Sequence, residues 1–187
     1  NVSFDRPDGQ ALQGYLAEPA RGAGAPAVVV IQEWWGLNDQ IRGVADRLAE
    51  AGYRALVPDL YRGKSTLEAK EAEHLMGDLN FGEAAGQDVR GAVIFLKAGG
   101  SAKCGVTGFC MGGALTTLSA VHVPEMDAGV IWYGYPPLEY VDAAKIKVPL
   151  PPTDEIAEAV EQALPRFPKA LEQFKADWPN ANIEFLG

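Results

Sequence analysis

Cysteine is scarce in this chain. The 187 residues include two, Cys104 and Cys110, which are predicted to lie on one strand and in the turn that follows it. Six residues of extended chain hold their Cα atoms too far apart for a disulfide bond. Two free thiols favour a reducing compartment, and we expect a cytoplasmic protein.

Long uncharged apolar runs and an excess of basic residues are also missing. Hydrophobic residues make up 48% of the chain and charged residues 22%, without a run that could span a bilayer. Lysine and arginine number 16 against 25 aspartate and glutamate residues, so the net charge is -9 and the surface repels polyanions. We therefore expect neither a membrane nor a nucleic acid as partner. No signal-peptide pattern opens the sequence at Asn1.

The length predicts one domain over residues 1–187. Residues 2–19 are predicted to form an antiparallel hairpin that turns at Asp8-Gly9. Strands and helices then alternate, which predicts a mostly parallel, doubly wound α/β sheet with helices on both faces. The predicted strands are 27–33, 53–61, 103–109, 128–134, 145–150 and 181–187, and the predicted helices are 41–52, 65–79, 86–100, 111–122, 153–164 and 167–178.

The segment Gly108-Phe109-Cys110-Met111-Gly112 has the form of a nucleophile elbow, with a strand before it and a helix after it. Such elbows strain the backbone at the nucleophile, and the flanking glycines avoid steric overlap. The start of the helix favours a thiolate at Cys110, and the Met111 N–H can donate to an oxyanion. The alternative is a small buried hydrophobe, but the context favours a nucleophile. The other cysteine, at the start of the same strand, is predicted to be inert.

Two further loops follow predicted parallel strands and meet the elbow at the carboxyl edge of the sheet, where such folds bind ligands. Glu33 follows the first strand, and its carboxylate is either a satisfied hydrogen-bond acceptor or part of the site. Trp34 and Trp35 are core or lid residues. The second loop carries Tyr61 and Arg62, and this arginine is either a solvated surface residue or a bidentate ligand for a substrate carboxylate.

Four segments, VVVIQEWWGLND, VPDLYRG, VTGFCMGGAL and AGVIWYG, resemble the dienelactone hydrolase family in their order and spacing. The resemblance runs from the opening hairpin to about residue 150 and continues more loosely to residue 187. It implies an α/β-hydrolase fold with an N-terminal antiparallel hairpin. It also implies hydrolysis of lactones or esters by a Cys-His-Asp triad, in a cytoplasmic monomer that needs no metal or cofactor.

By position, the resemblance also assigns roles to individual residues. Cys110 is similar to the nucleophile, and Glu33 to the carboxylate that contacts it and promotes its thiolate. The N–H groups of Trp34 and Met111 are expected to form the oxyanion hole. Arg62 resembles the arginine that receives the substrate carboxylate, although its spacing within the loop differs from the family's. Apart from the resemblance, the aromatic side chains of these loops suggest a compact pocket for a small lactone or ester, lined by Trp34, Trp35, Tyr61 and Tyr133.

The acid and the histidine of the triad are missing from their expected places after the nucleophile. His122 lies about 18 Å along the predicted helix and His74 precedes the nucleophile, so neither is expected to act as the general base. The predicted strand 145–150 runs directly into the next helix, which Asp154 is expected to cap, and the sequence stops where the histidine loop is expected. We therefore predict residues missing between Leu150 and Pro151, whose Cα atoms should then lie farther apart than bonded neighbours, and a missing tail after residue 187.

Two alternatives to a hydrolase follow from these absences. If the acid and the histidine are truly lacking, the chain is a non-catalytic or crippled member of the fold that binds a small carboxylate or lactone. A redox-sensing thiol protein is disfavoured, because no second cysteine lies near Cys110 to resolve an oxidised thiol.

Overall fold

A computed structural model of the chain describes residues 1–150. In this range six strands form one sheet in the order β1-β2-β4-β3-β5-β6. The strands are β1 (Val2–Asp5), β2 (Ala11–Ala17), β3 (Ala27–Ile31), β4 (Arg54–Pro58), β5 (Cys104–Phe109) and β6 (Ala128–Trp132). The β1–β2 and β2–β4 pairs are antiparallel, whereas β4, β3, β5 and β6 are parallel. The predicted mostly parallel sheet with an N-terminal hairpin is confirmed.

The hairpin turns at the predicted Asp8-Gly9 dipeptide. The Arg6 N–H donates to the Gln10 carbonyl oxygen at 2.8 Å, and Gly9 has a φ of +83°, a conformation that glycine adopts without a steric cost. The hairpin therefore adds two strands to the edge of the sheet beside β4.

Five α-helices connect the strands of the described range. They are α1 (Asp39–Glu50), α2 (Ala69–Asp78), α3 (Phe81–Glu83), α4 (Arg90–Ala98) and α5 (Met111–His122). A π-helical segment, Ala84–Val89, joins α3 to α4, so this helix starts before the predicted residue 86. The Asn80 side chain caps the start by accepting the Glu83 N–H at 3.0 Å. The sequence pattern predicts no element over residues 80–85, where Gly82 is a weak helix former.

The helices cover both faces of the sheet, as predicted. On one face, Ile41 and Val44 of α1 pack with Val30 and Val57. The opposite face holds the larger apolar cluster, to which α4 contributes Val93 and Leu96, and α5 contributes Leu115 and Leu118. Within residues 1–150, no helix is both long and apolar enough to cross a membrane.

The predicted strand at residues 145–150 is wrong. Ala143–Lys145 forms a short 3-10 helix, and residues 146–150 have no regular structure. One backbone hydrogen bond links this segment to β6, from the Gly129 N–H to the Pro149 carbonyl oxygen at 2.9 Å. Proline has no N–H and cannot donate to a strand ladder. The predicted elements at 153–164, 167–178 and 181–187, the Asp154 cap and the 150/151 junction lie outside the described residues.

Helix α5 begins so close to the sheet that its first turn has no room for side chains on the inner face. A Cβ atom at Gly112 would lie 2.6 Å from the Ile31 carbonyl oxygen, and one at Gly113 would lie 2.6 Å from the Trp132 carbonyl oxygen. The contact places the N-terminus of α5 against the carboxyl ends of β3 and β6.

Replacing Gly113 by alanine should therefore destabilise the fold by about 1–3 kcal/mol, because the added methyl group overpacks against backbone. A Cβ atom at Gly77 in α2 would meet no heavy atom of residues 1–150 within 4 Å beyond its chain neighbours and its own helix backbone, so Gly77→Ala should stabilise the protein by about 0.5–1 kcal/mol. Urea unfolding of both variants measures the difference. Small and equal changes in the free energy of unfolding for the two variants would show that the packing of α5 against the strand ends tolerates a side chain at Gly113.

Candidate active site

Cys110 lies at the junction of β5 and α5, in a backbone conformation that residues other than glycine rarely adopt. Its φ is +53° and its ψ is -114°. Its N–H continues the sheet ladder by donating to the Trp132 carbonyl oxygen at 3.0 Å, and its carbonyl oxygen accepts the N–H of Gly113 at 2.9 Å. The thiol is exposed. The predicted strand, turn and helix are present, and together they present this thiol at the carboxyl edge of the sheet.

Two further glycines make this conformation sterically possible. A methyl group at Gly108 would overlap the Gly112 carbonyl group, and one at Gly134 would overlap the carbonyl group of Cys110. Glycine is required at both positions, because the backbone of the elbow packs directly on itself and on the segment after β6.

Cys104 lies at the other end of β5 and is fully buried. Burial raises the pKa of its thiol to about 12. A thiol with such a pKa carries very little thiolate near neutral pH, and thiolate is the reactive form.

Glu33 follows β3 and is partly buried. Its Oε1 accepts a hydrogen bond from the Tyr133 hydroxyl at 3.2 Å. Tyr133 has a φ of +31°, and burial raises the pKa of its hydroxyl to about 12, with further contributions from Glu33 and Cys110. Tyr133 is therefore close to both predicted catalytic residues. The direct contact between Glu33 and the thiol, expected within about 4 Å, stays a prediction.

The predicted oxyanion donors are the N–H groups of Met111 and Trp34. Met111 is the first residue of α5, so its N–H has no partner within the helix. Trp34 lies in a turn closed by the Gly36 N–H and the Glu33 carbonyl oxygen at 3.4 Å. Its ring meets that of Trp35 edge to face, with centroids 5.1 Å apart. The oxyanion role of the two N–H groups stays a prediction.

Arg62 is bound to a buried carboxylate. Its Nη2 donates to both Asp88 oxygens at 3.0 Å, and its Nη1 donates to the carbonyl oxygens of Asp59 at 3.1 Å and Leu60 at 3.3 Å. Asp88 is 1% exposed and also contacts Arg6 Nη1 at 3.1 Å. Burial raises the pKa of Asp88, while the two guanidinium groups oppose that rise.

Tyr61, next to this arginine, is buried rather than open to a ligand. Its hydroxyl donates to the Met111 sulfur at 3.3 Å. Burial raises the pKa of this hydroxyl to about 12, and the nearby Cys110 adds to the rise. Tyr61 therefore contacts the start of α5 next to the nucleophile.

Two cavities open at this edge of the sheet. The larger, of about 660 Å³, has a mostly apolar wall formed by Met76, Phe81, Gly82, Cys110, Met111, Ala114, Leu118, His122, Gly134, Tyr135, Pro136, Pro137 and Tyr140. The smaller, of about 190 Å³, is lined by Glu33, Gly36, Asn38, Gln40, Ile41, Val44, Arg47, Phe109, Trp132 and Tyr133. Of the residues predicted to form the site, Cys110 and Met111 line the larger cavity, and Glu33 and Tyr133 line the smaller cavity. The predicted site residues that line neither of these two cavities are Trp34, Trp35, Tyr61 and Arg62.

Sequence reasoning missed two buried polar residues here. Gln32 is fully buried, and neither polar atom of its side chain has a hydrogen-bond partner within residues 1–150. A polar residue directly after an apolar strand was its one signal. The sequence carries no signal that Asp88 is buried, because a carboxylate on a helix is usually solvated. In the same range, no cluster of three or more His, Cys, Asp or Glu side chains is placed to hold a metal ion.

The sequence profile of the dienelactone hydrolase family matches residues 12–162. The chain belongs to the dienelactone hydrolase family. A relative from Aquifex pyrophilus, "Protein usf", is 39% identical over 158 residues, which cover 80% of this chain and 67% of that protein. A "Putative carboxymethylenebutenolidase" from Aquifex aeolicus is 37% identical over the same shares of both chains. A protein of that name from Methylorubrum extorquens is 37% identical, and this chain spans 45% of its length.

Solved structures of the family share the fold. A crystal structure described as "Putative Dienelactone Hydrolase" from Klebsiella pneumoniae superposes with a TM-score of 0.73 at 26% identity, covering 89% of this chain and 80% of that one. The structure named "m3DLH" gives a TM-score of 0.64 at 26% identity, with 89% and 76% covered. The family resemblance and the α/β-hydrolase fold expected from the sequence are therefore confirmed.

The two thiols should differ sharply in reactivity. Iodoacetamide should alkylate the exposed Cys110 in the folded protein and spare Cys104 up to about pH 9, because the buried thiol is shielded and its pKa is raised. Intact mass after a short exposure should show one adduct, and peptide mapping should place it on Cys110. Unfolding in urea should allow both to react. Alkylation of Cys104 in the folded state would contradict the structure.

Proposed function

We propose that this chain is a hydrolase that cleaves lactone or ester bonds through Cys110 and a covalent acyl-enzyme. The observation that carries the proposal is the exposed thiol held in a strained conformation between a strand and a helix, the arrangement of a nucleophile elbow. The names of the family and of its relatives support lactone or ester chemistry. The proposed enzyme acts as a single-domain cytoplasmic monomer on a small-molecule substrate.

The chemistry follows from the position of the sulfur. The Cys110 thiolate adds to the carbonyl carbon, forming a C–S bond while the carbonyl electrons move to oxygen. The N–H groups of Met111 and Trp34 donate to this oxyanion. Its collapse breaks the C–O bond, and the alkoxide takes up a proton to become the alcohol, which in a lactone remains attached to the acyl group. Water then adds to the thioester, releasing the carboxylic acid and restoring the thiol.

Glu33 has the role of promoting the thiolate. Support comes from Tyr133, whose hydroxyl binds Glu33 and whose titration is affected by Cys110 as well. In this mechanism the carboxylate leaves the Tyr133 hydroxyl to meet the sulfur. Catalytic hydrogen bonds are commonly loose before substrate binds.

Deacylation needs a general base, and this requirement raises a second candidate function. The two histidines of the sequence are His74, which is exposed on α2, and His122, which lies at the far end of α5 from Cys110. A helix of that length separates His122 from the elbow by about 18 Å. If no group of the protein supplies this base, the chain acylates without turnover or only binds a small lactone or carboxylate.

Cys110→Ala should abolish hydrolysis of an activated aryl ester, while Cys104→Ala keeps nearly full activity, because only the exposed thiol can attack. Release of p-nitrophenolate measures the rate. Intact mass then separates the two candidate functions: turnover without a lasting adduct supports the hydrolase, and a persistent acyl adduct supports the crippled form. Activity retained in Cys110→Ala would overturn the assignment of the nucleophile.

Glu33→Gln should slow acylation roughly 10²-fold or more, as expected for loss of a group that assists proton transfer, with little change in stability. Glu50→Gln, at the exposed end of α1, is the matched control and should acylate at the wild-type rate. Stopped-flow measurement of the p-nitrophenolate burst gives both rates. Equal acylation by the two variants would remove Glu33 from the mechanism.

A further inference from the structure

The larger cavity beside Cys110 has the size and polarity of a ligand pocket. Its volume of about 660 Å³ lies within the range of about 300–1,000 Å³ that small-molecule sites occupy. Met76, Phe81, Ala114 and Leu118 contribute apolar side chains to its wall. Among the lining residues that the structure describes, none is lysine, arginine, aspartate or glutamate.

The arginine that the resemblance offers as a ligand for a substrate carboxylate is already occupied. The Arg62 Nη2 donates to both Asp88 carboxylate oxygens, and its Nη1 donates to two backbone carbonyl oxygens. Binding a second carboxylate in a bidentate manner would take the guanidinium group away from a carboxylate that is 1% exposed. A buried carboxylate that loses a cationic partner is strongly destabilised.

The net charge of the chain also disfavours an anionic substrate. Acidic residues exceed basic ones by 25 to 16, so the protein as a whole repels small anions. An anionic substrate would approach against this field, and the described residues of the cavity wall include no lysine or arginine to bind it.

We infer that the substrate is an uncharged ester or lactone whose apolar acyl part fills the cavity beside Cys110. The inference rests on the proposed function and deepens it. The acyl carbon is the atom that bonds to the sulfur, so the acyl part stays next to Cys110 throughout the cycle. The cavity that has Cys110 in its wall is therefore placed to hold the acyl chain.

The test compares acylation by two sets of aryl esters, read as the second-order rate constant for p-nitrophenolate release at low ester concentration, which does not depend on deacylation. In a series of lengthening straight-chain p-nitrophenyl esters, the acylation efficiency should rise about threefold to fourfold per methylene, the factor expected for burying a CH₂ group, until the cavity is full. The second set pairs the p-nitrophenyl monoester of adipic acid with its uncharged isostere, in which an isopropyl group replaces the terminal carboxylate. The isostere should react at least tenfold faster.

Two cavity variants locate the effect. Ala114→Phe extends a ring into the cavity and should reduce acylation by the longest ester about tenfold or more, while the acetate ester changes less than twofold. Ala98→Phe, the same change at an exposed site on α4, is the control and should keep the wild-type chain-length profile. Met76→Lys adds a cation to the cavity wall and should reduce the preference for the uncharged isostere, which keeps the test decisive if Ala114→Phe does not fold.

The possible failures are distinguishable. Faster acylation by the adipate monoester, or a chain-length profile that is flat or unaffected by Ala114→Phe, would overturn the uncharged acyl substrate while leaving the hydrolase intact. Protein-dependent release of p-nitrophenolate that persists in Cys110→Ala, or no such release with any ester, would overturn the proposed function and this inference with it.

Discussion

The close contact between the start of α5 and the ends of β3 and β6 is the constraint on which the site depends. Backbone of α5 lies against backbone of β3 and β6 at Gly112 and Gly113, and the segment after β6 lies against the Cys110 carbonyl group at Gly134. Side chains at these positions would separate the elements and change the direction of the Cys110 thiol. Because α5 is buried from Met111 to Ala120, the surrounding core holds the elbow in a conformation that it would not adopt alone.

Backbone strain is concentrated at the same edge of the sheet. Three residues other than glycine have positive φ in the described range, and each follows a parallel strand: Arg62, Cys110 and Tyr133. Such a conformation costs on the order of 1–3 kcal/mol and persists where other contacts hold it. Arg62 is held by Asp88, Tyr133 bonds to Glu33, and Cys110 bonds to the β6 backbone. The site is therefore maintained by long-range contacts rather than by local preference.

That distinction explains what the sequence could predict. Apolar runs and glycine positions are local signals, and they located the hairpin, the parallel strands and the elbow with its exposed Cys110. The start of α3 at Phe81 lies before the predicted helix 86–100, and Gly82 weakens the helical signal there. An apolar run at 145–150 resembled a strand although Pro149 cannot complete a ladder. The Arg62–Asp88 and Tyr133–Glu33 pairs join residues 26 and 100 positions apart. No periodicity reports such pairs, because they depend on how the elements pack.

Asp88 also connects distant parts of the fold. It contacts Arg6 in the turn after β1, at the outer edge of the sheet, and Arg62 in the loop after β4. The Asp88 carboxylate thus connects the loop after β4 directly to the first residues of the chain. The central strands take no part in this connection. Loss of the N-terminal hairpin would leave a buried negative charge with a single cation to neutralise it. The N-terminal hairpin is remote from the thiol in sequence. Through Arg6 it nevertheless helps to neutralise the carboxylate that holds Arg62 in the loop after β4.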